Sequence, residues 1–89
     1  MAEPIEPIHV LIADDLTLVR AGVRALVERN SDMQVVAEAG DGREALQKVQ
    51  EHRPDVVLMA VTLPVMNGIE ATSRIAKEFP SVRVVILSS

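Results

Sequence analysis

The sequence contains no cysteine, tryptophan or tyrosine, and Phe79 is its single aromatic residue. Without cysteine there is no disulfide framework and no thiolate metal site. Without aromatic rings to stack on bases, single-stranded nucleic acid is a poor partner, and any core has to be aliphatic. Excess positive charge is missing as well. Nine Lys and Arg against 13 Asp and Glu give a net charge of -4, which argues against direct binding to nucleic acid or an anionic membrane. No apolar run approaches the roughly 20 residues of a membrane span. The opening "MAEPIEPIHV" lacks the basic segment and long apolar core of a secretory signal. Together these absences describe an acidic cytosolic chain of 89 residues, enough for one small domain of marginal stability.

What is present is aliphatic and ordered. Four apolar runs, "IHVLIA" from Ile8, "QVVAEA" from Gln34, "DVVLMA" from Asp55 and "VRVVILS" from Val82, are rich in Val and Ile. They are mostly apolar at successive positions, as strands covered on both faces are. The gaps between them leave room for helices. In the first gap Val19, Val23, Leu26 and Val27 fall on one helical face, with Arg20, Arg24 and Glu28 pointing outward. The second opens "DGRE", where Asp41 and Glu44 form a capping-box pattern ahead of Ala45, Leu46 and Val49. In the third, Asn67 is the cap, Ile69, Ala71, Ile75 and Phe79 form the stripe, and Pro80 is the stop. The order βαβαβαβ implies a parallel α/β sheet with right-handed crossovers. Residues 1–6 read as a short irregular arm, and no internal linker divides residues 1–89.

Chemistry in such a sheet belongs at the carboxyl ends of its strands. Asp14 and Asp15 close the first run, and adjacent carboxylates there suit a hard divalent cation such as Mg²⁺. The plainer reading is that one caps the next helix and the other is solvated. In a flavodoxin-like strand order the third strand lies beside the first, so position 60 faces the acidic pair. That position holds Ala60, a methyl group where a third carboxylate would complete the cluster, with Pro64 and Gly68 shaping the loop beyond.

The stretches "VLIADDLTLVRAGVRALVE", "VVAEAGDGREALQKV", "RPDVVLMAVTLPVMNGIEAT" and "VRVVILSS" resemble the receiver domain of two-component response regulators. The likeness is greatest to the NarL/FixJ-like subfamily with a LuxR-type DNA-binding output, and it runs from Ile8 onward. The resemblance implies a flavodoxin-like doubly wound sheet, here of order 2-1-3-4 without the fifth strand. It also implies that Asp14, Asp15 and the backbone carbonyl of Thr62 bind Mg²⁺. By the same likeness Ala60 occupies the phosphoacceptor position, and Ser88 matches the hydroxyl residue that contacts the phosphoryl group on switching. The implied partners are a histidine kinase and, through an output domain not in this sequence, DNA.

Two departures from the family pattern stand out. Ala60 cannot form an acyl phosphate, and because it supplies no third carboxylate Mg²⁺ binding should be weak. The sequence also ends in "VVILSS", where the family continues. An apolar strand left as an edge is expected to pair with a second copy or to exchange elements with it. The intact surrounding motif favours an introduced Asp-to-Ala change. A naturally degenerate receiver, acting as a protein-interaction module, is the alternative. Neither reading is an enzyme. A phosphohydrolase of the haloacid-dehalogenase type spaces its two Asp residues by one, whereas here they are adjacent. A flavin binder would need a phosphate cradle where "ADDLT" presents two negative charges. His9, His52, Met59 and Met66 read as packing or surface residues. Gly40 and Gly42 read as a tight strand-to-helix turn.

Overall fold

The computed structural model describes residues 6–87. Seven elements alternate along them: β1 (Ile8–Ala13), α1 (Thr17–Glu28), β2 (Met33–Ala39), α2 (Gly42–His52), β3 (Val56–Ala60), α3 (Gly68–Glu78) and β4 (Arg83–Leu87). Every strand pair is parallel, and the spatial order is β2-β1-β3-β4. This is the expected flavodoxin-like winding, with the chain switching sides between β1 and β3. The expected arm over residues 1–6 lies outside the described residues except for Glu6, which is irregular and exposed.

The central strand explains its own sequence. Val10 and Ile12 face α1 and pack with Val27 and Val35. Leu11 and Ala13 face the opposite way, into a larger core with Val49 of α2 and Ile75 of α3. Both faces are covered, so the strand reads as an unbroken apolar run. The β1–β2 register shifts between Val10 and Leu11, whose partners are Val35 and Ala37, leaving Val36 as an extra residue.

The helix ends follow local chemistry. Asp41 Oδ1 accepts the Glu44 N–H at 2.7 Å, while Glu44 Oε1 accepts the Gly40 N–H at 2.7 Å. The reciprocal reach of the capping box therefore lands one residue ahead of the cap. Asn67 Oδ1 accepts the Glu70 N–H at 2.9 Å and starts α3. That helix stops at Glu78, two residues before Pro80. The Arg53 guanidinium lies 4.7 Å from the centroid of the Phe79 ring.

Two expectations about helix faces need correction. On α1 only Val27 is buried and Val23 is half-buried, whereas Val19 is 44% and Leu26 61% exposed. Arg20 does not point freely outward but turns back toward the sheet. The helix rests over β1 and β2 alone among the described strands, so its apolar stripe is wider than the surface beneath it. Ile69, in the first turn of α3, is likewise exposed, while Ala71, Ile75 and Phe79 are buried as expected. β4 is partly covered, with Val84 and Leu87 half-buried and Val85 and Ile86 exposed. No described strand pairs with its outer edge. Among the described residues no helix is long and apolar enough to cross a membrane.

Candidate functional site

The switch between β1 and β3 leaves a crevice at the carboxyl ends of those strands, and the residues that fill it come from both. An open cavity of about 740 Å³ lies there, lined by Asp14, Asp15, Ala60, Thr62 and Leu87, with Leu16, Val19 and Val23 along its α1 side. The topology thus brings Asp14, Asp15, Ala60 and Thr62 onto one wall although 45 positions separate Asp15 from Ala60 (60 − 15).

The two acidic residues are not equivalent. Asp14 is the one charged residue buried among those described, 6% exposed, whereas Asp15 is exposed. Asp14 is held at three points. Its N–H donates to the Ala39 carbonyl at 3.0 Å, its Oδ1 accepts the Leu16 N–H at 2.9 Å, and its carbonyl accepts Arg20 Nη1 at 2.6 Å. The side-chain bond closes a small turn leading into α1, which has no side-chain cap of its own. The plainer sequence reading holds for the solvated Asp15, but neither Asp caps α1, whose cap position is Leu16; Asp14 is instead buried on the cavity wall.

Arg20 continues into a network. Its Nε donates to Glu38 Oε1 at 2.9 Å, Arg24 Nη1 donates to Glu38 Oε2, and Arg24 Nε reaches Glu28 Oε1 at 3.3 Å. Burial acts to raise the Glu38 pKa, but hydrogen bonds from Arg24 and Arg20 outweigh it and hold this carboxyl below its usual range. Hydrogen bonding to Glu38 raises Arg24 in turn.

Position 60 is closely fitted. Ala60 is 3% exposed, and a Cβ on Gly68 would sit 2.0 Å from the Ala60 carbonyl oxygen. Only glycine lets α3 begin that near the strand end. The Gly68 N–H donates to the Val61 carbonyl at 2.8 Å, closing the loop. Within that loop the Met66 N–H donates to the Pro64 carbonyl at 2.7 Å across Val65, whose φ is 68°. This is a γ-turn with a β-branched residue at its centre, a strained arrangement. Gly42 packs on the same loop, where a Cβ would meet the Met66 carbonyl oxygen at 1.8 Å. Neither Gly40 nor Gly42 has a positive φ, so Gly42 is needed for close approach rather than for a left-handed turn.

The remaining residues singled out in the sequence lie elsewhere. His9 is half-buried and its N–H donates to Asp55 Oδ2 at 2.7 Å, while His52 is exposed. Met59 is fully buried and Met66 packs against the same core. Ser88 lies outside the described residues. Sequence reasoning missed Arg20 and Glu38, because helical periodicity alone places an arginine outward. It also missed Val65, because nothing in "LPVMNG" marks a positive φ on valine.

The sequence pattern of the response regulator receiver domain matches residues 10–89. The chain belongs to the receiver domain family. Its relatives place this receiver in the NarL/LuxR type of response regulator. It is 40% identical over 83 residues to the response regulator protein VraR of Staphylococcus saprophyticus, covering 93% of this chain and 40% of that one. It is also similar to the structure of a LuxR-family two-component response regulator from Aurantimonas, with TM-score 0.88 and 40% identity over 93% of this chain and 59% of that one. A third match is a Borrelia burgdorferi complex of CheX and CheY with BeF₃ and Mg²⁺, with TM-score 0.85 and 29% identity over 93% of this chain and 63% of that one. The receiver thus spans well under half the length of the VraR relative.

The oxygen donors on the cavity wall suit Mg²⁺, which is bound through one or two carboxylates and retains several waters. Asp14 commits Oδ1 to the Leu16 N–H, and its Oδ2 makes no hydrogen bond to the described residues. Asp15 is open to solvent beside it. Among the described residues no three acidic or histidine side chains converge as a metal cluster. The receiver therefore offers two carboxylates and the main chain near Thr62, with no third carboxylate.

Proposed function

We propose that this receiver is the signal-accepting module of a LuxR-type transcription regulator, in a form that cannot be phosphorylated at position 60. The observation that carries the reading is the place of Ala60. It is buried at the end of β3, on the wall shared with Asp14, Asp15 and Thr62. A carboxylate there would face the acidic pair and attack an incoming phosphoryl group, whereas a methyl group offers no oxygen nucleophile. Asp14, Asp15 and the Thr62 carbonyl are the residues that would hold Mg²⁺, weakly in this form because position 60 adds no ligand. When bound, the ion would neutralise charge around the phosphoryl group. Ser88 would supply the hydroxyl contact on switching.

In this reading the phosphodonor is a histidine kinase in the cytoplasm, and DNA is reached only through an output domain. The receiver itself is a switch rather than an enzyme. The test is Ala60→Asp in the full-length parent protein, treated with acetyl phosphate and Mg²⁺. The expected product is an acid-stable, base-labile acyl phosphate that requires the metal, with no label on the Ala60 form. An unlabelled Ala60→Asp protein would overturn the reading and leave an interaction module in its place.

A further inference from the structure

We propose that Arg20 is a positioning residue for the metal site: its guanidinium, braced by Glu38, holds the Asp14 carbonyl and so fixes the orientation of the acidic pair. The inference rests on the Mg²⁺ reading above and adds to it a residue from the middle of a helix.

The peptide joining Asp14 to Asp15 has its carbonyl on Arg20 Nη1 at 2.6 Å. Rotation of that peptide would swing the Asp15 side chain relative to Asp14, so whatever holds the carbonyl sets the angle between the two carboxylates. Asp14 itself is already tied through its N–H and Oδ1. The carbonyl is the remaining main-chain polar group of Asp14, and it belongs to the peptide that leads into Asp15.

Arg20 suits the task because it is itself held. Its Nε is on Glu38 Oε1 at 2.9 Å, and Glu38 is held from the other side by Arg24. Its side chain is only 21% exposed. The Arg20 guanidinium lies beside Gly40, where a Cβ would sit 3.7 Å from Nη1 in ordinary contact, so its placement does not depend on a glycine there. A planar guanidinium can donate to the carboxylate and the carbonyl at once, which an ammonium does less well. Glu38 also offsets a positive charge that would otherwise oppose a cation nearby.

Arg24 supplies the control. It pairs with the same Glu38 and ties α1 to β2, yet it makes no bond to Asp14. Arg20→Met and Arg24→Met should therefore cost similar stability and differ at the site. Binding is followed by titrating Mg²⁺ against the ¹⁵N amide shifts of Asp15, Leu16 and Gly68. Arg20→Met should weaken Mg²⁺ by about tenfold, the scale of lost outer-shell support. Arg24→Met should change it less than about twofold, and Arg20→Lys should recover part of the loss. Equal Mg²⁺ affinity in folded Arg20→Met and the parent refutes the role, as does equal weakening in both Met variants. If Arg20→Met does not fold, Arg20→Lys is compared with Arg24→Met, and an affinity no weaker than that control's refutes it.

Amide exchange at Asp15 and Leu16 without metal separates this inference from the reading beneath it. A parent that shows no Mg²⁺-dependent shift removes the metal reading. Arg20 is then judged by exchange alone, faster at these amides in Arg20→Met than in Arg24→Met if it positions the pair. Identical exchange overturns the inference.

Discussion

Val65→Gly should make this receiver more stable, and the size of the gain follows from the loop. Val65 has a φ of 68° and sits at the centre of the turn closed by the Met66 N–H on the Pro64 carbonyl at 2.7 Å. A non-glycine residue held there costs about 1–3 kcal/mol, with a branched Cβ toward the upper end. Val65 is 77% exposed, so removing its side chain sacrifices little burial. Against the relief stands the extra freedom glycine gives the unfolded chain, about 0.5–1 kcal/mol. The net gain is about 1–2 kcal/mol, and each kcal/mol in a domain this small raises Tm by about 4–8 °C. Urea unfolding followed by far-UV circular dichroism measures it, since the chain has no tryptophan. The midpoint should rise with an unchanged slope. Val65→Ala, which keeps a Cβ but not the branch, should fall between parent and glycine variant. A glycine variant with an equal or lower midpoint at the same slope refutes the strain argument.

Gly68→Ala should act in the opposite direction. The new methyl would sit 2.0 Å from the Ala60 carbonyl, so the strand end must move, at a cost of about 3 kcal/mol or more; urea unfolding and the Val61 amide shift report it, and a change under about 1 kcal/mol contradicts the packing. Glu38 gives a pH prediction. Its carboxyl is held below the usual range by Arg24 and Arg20 against the opposing effect of burial, so its contribution is complete at neutral pH and lost as pH falls through the folded value. Between about pH 5 and pH 3 the urea midpoint of the parent should therefore drop more than that of Glu38→Gln, and equal drops would show that the pair adds nothing.

The fold was readable because its signals are local and agree with one another. The runs at Ile8, Gln34, Asp55 and Val82 become parallel strands, with boundaries off by a residue or so. Asp41 and Asn67 bond to the amides their positions imply. The spatial order then brings Asp14, Asp15, Ala60 and Thr62 to one cavity, as the placement of the third strand beside the first requires. What could not be read depends on distance in the fold. The stripe of α1 looks uniform in sequence, and which part of it is buried depends on the sheet beneath. Arg20 gains its partners from β2 and from the end of β1, and no spacing within the helix announces either. The need for glycine at position 42 comes from the Met66 carbonyl, which belongs to a loop beyond the next strand.

The two faces of the sheet are fastened by different forces. Helices α2 and α3 are held by fully buried aliphatic side chains such as Val49 and Ile75. Helix α1 adds only Val27 to the buried set, with Val23 packed half-buried beside it, and is further tied down by partly exposed ion pairs to Glu38. Apolar contact is little affected by ionic strength, while partly exposed ion pairs are screened by it. Rising salt therefore loosens one side of the molecule selectively and moves α1 toward the low end of local opening free energies. The acidic pair sits on the seam, with Ala13 anchored in the larger core on one side and the labile helix on the other.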